Sequence, residues 1–129
     1  MAVTSIDHIE IIVHDLEAYV KMFEKLGFNI LARTPHHEGS VELQLPGENQ
    51  PIFEIHQVIG EENPGVNHIA FRAEDVNETY NELKNHPGIT FSGPPKFVSH
   101  TGRTNANFRD PGGWRFQLVH SERGEWDEE

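Results

Sequence analysis

The chain has 129 residues, 36% of them hydrophobic, and sets 10 Lys and Arg against 21 Asp and Glu for a formal charge of −11. This is one domain's worth of core, and its acidity argues against nucleic acid or an anionic membrane surface as a partner. Cysteine is absent, which excludes disulfides, thiolate catalysis and thiolate metal ligation, while nine histidines leave nitrogen and oxygen ligands available. No apolar run approaches the roughly 20 residues of a membrane span, and the N-terminus lacks a secretion pattern, so a cytoplasmic location is expected.

In chain order, Ile6 to Val13 predicts a strand, and Asp15 then caps a helix whose apolar positions Leu16, Tyr19, Val20, Phe23 and Leu26 fall at steps of three and four. Gly27 stops it. Phe28 to Arg33 predicts a strand, Thr34 to Gly39 a polar loop in which His36 and His37 are exposed, Val41 to Leu45 a third strand and Pro46 to Asn49 a turn. Ile52 to Val58 closes a βαβββ unit over residues 1–59, and 60–65 form a linker rich in turn residues.

The plan then repeats. Val66 to Ala73 answers Ile6 to Val13, with His68 sixty residues after His8 and Asp75 sixty after Asp15. Asp75 to His86 predicts a helix with Val76, Tyr80 and Leu83 on one stripe, ended by Pro87-Gly88. Strands near Phe91, over Asn105 to Arg109 and over Trp114 to His120 complete a second βαβββ unit spanning 66–121, and 122–129 form an acidic tail. The fold class is α+β: two tandem βαβββ modules forming a curved, barrel-like mixed sheet around a shared cavity, with the helices outside.

The pleat assigns side chains to faces. Over Ile52 to Gln57, Phe53 and Ile55 share the helix side, so Glu54 and His56 look inward. Over Trp114 to Val119, Trp114, Phe116 and Leu118 take the apolar side and leave Arg115 and Gln117 inward. Each half thus contributes a histidine from its first strand and an oxygen ligand from its last. The candidate constellation is His8, Glu54, His68 and Gln117. His56, Arg103, Arg109 and Arg115 are candidate substrate contacts, with surface exposure or salt bridges as the competing reading.

Ile6-Asp7-His8, the helix from Asp15-Leu16-Glu17 to Leu26-Gly27-Phe28, Phe53-Glu54-Ile55, Asn67-His68-Ile69-Ala70-Phe71, and Phe108 to Gly113 leading to Gln117-Leu118 together resemble the vicinal oxygen chelate superfamily. That superfamily includes glyoxalase I, methylmalonyl-CoA epimerase, extradiol dioxygenases and bleomycin-resistance proteins. The resemblance implies a divalent metal (Zn, Ni, Co, Mn or Fe) held by His8, Glu54, His68 and Gln117. Gln117 departs from the glutamate many relatives carry there. Three activities stay open: a glyoxalase-type lyase or isomerase moving a proton beside a carbonyl with Glu54 as base, an Fe(II) ring-cleaving dioxygenase, and a metal-free protein that sequesters a drug or other ligand. A small-molecule substrate and a homodimer are expected.

Overall fold

A computed structural model of the chain describes residues 3–99 and 102–121; the acidic stretch 122–129 and His100 of the expected second-half loop lie outside them. The described residues form an α+β fold of nine strands and two helices: β1 (Ser5–Val13), α1 (Leu16–Lys25), β2 (Asn29–Thr34), β3 (Ser40–Gln44), β4 (Ile52–Gln57), β5 (Gly65–Arg72), α2 (Val76–Leu83), β6 (Thr90–Phe91), β7 (Lys96–Val98), β8 (Arg103–Arg109) and β9 (Arg115–Ser121). They divide into two compact units, Ile6–Ile69 and Met1–Ser5 with Ala70–Glu129, so that β5 begins in one and ends in the other. Among the described residues no helix is long and apolar enough to cross a membrane.

In the first unit the strand order is β2-β3-β4-β1-β5. β1 runs parallel to β4, with Glu10 opposite Glu54 and Ile12 opposite His56, while β3 lies antiparallel on the other edge of β4, with Glu42 opposite Glu54 and Ser40 opposite His56. One face is apolar because α1 covers it: Val13, Val20, Phe23, Val41, Leu43 and Ile55 form a buried cluster, with Phe53 packed edge-on and Phe28 tilted against Phe23. The helix starts where expected, because the Asp15 carboxylate accepts the Ala18 amide N–H at 3.2 Å. It ends at Gly27, whose φ of +105° suits a residue without a Cβ. The buried stripe is narrower than the sequence predicts. Leu26 caps the helix and is 64% exposed, and Tyr19 sits on the flank, because ten helical residues place only Leu16, Val20 and Phe23 toward the sheet.

The second unit is built alike. Asp75 caps α2 by accepting the Glu78 N–H at 2.9 Å, and Ala73, Val76, Ala106 and Leu118 form its core with Phe71, Phe91 and Phe108 packed against it. Phe116 stacks between Phe71 and Phe108, as the pleat required. Trp114 does not join them: it lies between the Asp110–Gly113 turn and β9 and is 58% exposed. This unit also holds one strand more than the expected βαβββ plan, the three-residue β7, which pairs antiparallel with β8.

Candidate metal centre

Because α1 occupies one face of the first unit's sheet, every second residue of its strands is left on the other face. His8, Glu10 and Ile12 of β1, Ile52, Glu54 and His56 of β4, and Ser40, Glu42 and Gln44 of β3 share it. A row of three carboxylates, Glu10-Glu54-Glu42, therefore crosses adjacent strands, and Glu10 and Glu42 are buried. Like charges on neighbouring strands repel, and burial strengthens the repulsion, so such a row calls for cations beside it.

Histidines stand beside this row. His8 Nε2 and His68 Nε2 face each other at 3.3 Å, with their rings edge to face. Behind His8, the Asp7 carboxylate lies 2.7 Å from Nδ1; behind His68, Asn67 Oδ1 lies 2.8 Å and Glu10 Oε1 3.5 Å from Nδ1. Carboxylate and amide oxygens only accept, so both Nδ1 atoms carry hydrogen, and in the neutral rings both Nε2 atoms turn lone pairs toward one another. At this distance the two nitrogens share either a proton, as an N–H···N hydrogen bond, or a metal ion. Two imidazole nitrogens bonded at about 2.1 Å to one ion stand roughly 3.0–3.4 Å apart as the angle between them opens from a right angle to tetrahedral, so the observed separation fits a divalent metal. The contacts behind the rings are of the kind that orient metal-bound histidines.

His56 is 1% exposed rather than a surface residue, and its Nε2 bonds Glu62 Oε1 at 3.1 Å. Its Nδ1 lies 2.9 Å from Glu10 Oε2. Glu62 also accepts the Ile59 N–H at 2.9 Å, and this backbone bond, then the hydrogen bond and charge of His56, hold its carboxyl below the ordinary 4.5. His37, expected to project into solvent, is partly exposed but stacks on His56 with ring centroids 4.4 Å apart.

Of the residues singled out in the sequence, His8 and His68 come together, whereas Glu54 lies on the face of His8 but in register with Glu10, and among the described residues it does not converge with the two imidazoles as a three-ligand group. Gln117 belongs to the second unit, where its Nε2 donates to Asn107 Oδ1 at 3.0 Å. Arg109 is exposed and closes its own turn by donating to Gly113 O at 2.8 Å; Arg115, opposite it in the β8–β9 register, is exposed, and Arg103 is half-buried. Sequence reasoning passed over Glu10, Glu42 and His37. Glu10 was within reach, since it stands two residues after His8 on a strand and must share its face.

The family model of the Glyoxalase/Bleomycin resistance protein/Dioxygenase superfamily matches residues 5–118. No curated protein matches. Solved structures similar to this chain include a methylmalonyl-CoA epimerase in complex with methylmalonyl-CoA and ammonium, at 23% identity and a TM-score of 0.75 over 98% of this chain and 100% of that one. A methylmalonyl-CoA epimerase from Mycobacterium tuberculosis aligns at 18% identity and a TM-score of 0.75, covering 93% of this chain and 89% of that one. A 2,3-dioxygenase from Pseudomonas sp. KL28 aligns at 20% identity and a TM-score of 0.69, covering 94% of this chain but 42% of that one. At these identities the likeness is one of fold.

Proposed function

Because the chain belongs to the Glyoxalase/Bleomycin resistance protein/Dioxygenase superfamily, we propose that it is a metal-dependent enzyme of the glyoxalase type that moves a proton at a carbon beside a carbonyl. The observation carrying this reading is the pair of facing Nε2 atoms 3.3 Å apart, each held from behind by an oxygen acceptor. His8 and His68 would hold the ion, and Glu54, one register step along the face of His8, would supply a carboxylate to it. When bound, a divalent ion stabilises negative charge on a substrate oxygen. Asp7 and Asn67 keep the imidazoles in the tautomer that offers Nε2 inward. Glu54, on the same face as His8, takes the proton from the carbon and returns it. The substrate is a small molecule with adjacent oxygens. A 2-substituted acyl-thioester and a 2-oxoaldehyde thiohemiacetal are the two classes to try first, the former because two of the similar folds are methylmalonyl-CoA epimerases.

The test is elemental analysis of protein purified without added metal, followed by proton exchange with D₂O on methylmalonyl-CoA and on the thiohemiacetal of methylglyoxal. His8→Ala and His68→Ala are each expected to lose one equivalent of ion and the exchange activity, and Glu54→Gln to slow exchange by about 10²–10⁴-fold. Ion retained in full by both histidine variants ends the ligand assignment. Two histidines and a carboxylate also suit Fe²⁺ in oxygenases. Fe²⁺-dependent O₂ uptake with a catechol, in the absence of solvent exchange, would put ring cleavage in place of proton transfer; a protein that takes up no metal at all would be a ligand carrier.

A further inference from the structure

Beside the His8–His68 pair, a second set of ligand atoms converges on the same sheet face. Glu10 Oε2, His56 Nδ1 and His37 Nε2 all lie within 4.8 Å of one another. From Oε2 the two nitrogens stand at 2.9 Å and 3.5 Å. We propose that Glu10, His37 and His56 form a second divalent-cation site, distinct from the one held by His8 and His68 and suited by its two nitrogens and one oxygen to a borderline ion such as Zn²⁺ or Co²⁺.

Four observations converge on it. His56 Nδ1 is fully buried and has no hydrogen-bond partner: it is close to Glu10 Oε2 but lacks the alignment a hydrogen bond needs. With Nε2 facing the Glu62 carboxylate and donating to it, a neutral ring turns its Nδ1 lone pair toward Glu10 Oε2. Glu62 is itself pinned by the Ile59 N–H, so the ring does not turn to relieve the clash. Acceptor against acceptor in a buried place is costly unless a cation lies between them.

His37 arrives by an unusual backbone. The short 3₁₀ turn His36–Glu38 carries φ of +51° at His37 and +63° at Glu38, a region that side-chain-bearing residues seldom adopt. That bend lays the His37 ring on His56 with 17° between their planes. Two stacked imidazolium rings would repel, so protonating both histidines is a poor substitute for an ion. His37 also lines a cleft of about 410 Å³ with Arg33, Glu38, Ser40 and Gln57. Glu10 links the two sites, one carboxylate oxygen facing the His56 set and the other 3.5 Å from His68 Nδ1.

Co²⁺ titration of metal-stripped protein, followed by d–d absorption and by equilibrium dialysis, separates the sites. The unaltered chain is expected to bind two equivalents. His37→Ala, a change on an exposed turn outside the core, should bind one, and so should the His8→Ala/His68→Ala double variant; the triple variant should bind none. His37→Asp, whose carboxylate replaces the ligand on a residue type that tolerates this backbone, should restore the second equivalent with a shifted absorption band. Loss of the sole equivalent with His37→Ala but not with the double variant would uphold this site and remove the His8–His68 one. Stoichiometry that His37→Ala leaves unchanged overturns the proposal, and so does binding of no ion, which would leave His56 a doubly protonated ring between Glu10 and Glu62.

Discussion

Asp7 touches no substrate in the proposed reaction, yet it decides which nitrogen of His8 is offered to the ion. Its carboxylate at 2.7 Å from Nδ1 is buried, so the contact is neither screened nor replaced by water. Asp7→Ala is expected to weaken metal binding by about 10–100-fold, read by competition with a chelator of known affinity. Glu62 gives a prediction in pH. The Ile59 N–H, and then His56, lower its carboxyl from 4.5, so its stabilising contribution is complete above that value and lost as pH falls through the depressed one. Denaturant titrations of metal-free protein between about pH 6 and pH 3 should therefore show the stability gap between the unaltered chain and Glu62→Gln closing as the solution is acidified. A gap that widens would reverse the assignment. The pairing of His8 with His68 was legible from the repeat alone, and the inward turn of Glu54 from the pleat. His37 was not: no periodicity announces that a polar loop will adopt left-handed dihedrals and fold a ring back over a strand.

Elements carry the stability that keeps these residues in place. Leu43 and Ile55 are fully buried beneath α1, directly behind the strands that present Glu42, Glu54 and His56. Leu43→Ala is expected to cost about 2–5 kcal/mol, because the strand pair β3–β4 closes poorly over the void. Asp75→Ala removes the N-cap of α2 and should cost about 1 kcal/mol, measured the same way. Both helices were readable because each carries a capping aspartate and an apolar stripe. The strands of the first half were readable for their alternation. β7 escaped because three residues after Pro94-Pro95 carry too little pattern to register, and the Trp114 assignment failed because a bulky aromatic beside a turn resembles the first residue of a strand.

At the scale of the molecule, a bound ion ties folding to ligand concentration. If metal binds the folded state alone, free ion at about 100 times its dissociation constant adds roughly 2.7 kcal/mol. Amide exchange should then slow most in β1, β4 and β5, whose residues 6–69 supply the donors of both sites, and a chelator should reverse the gain. Uniform slowing across the chain would count against both sites. The edge of the first unit's sheet has a separate consequence. β2 leaves Ile30 and Leu31 exposed, yet its register against β3 shifts between Ile30 and Ala32, and Arg33 is drawn away to Glu17 on α1 through two bonds of 2.8 and 3.1 Å. A border broken in this way offers a passing polypeptide no straight ladder to extend, so the protein can expose greasy side chains there without templating aggregates.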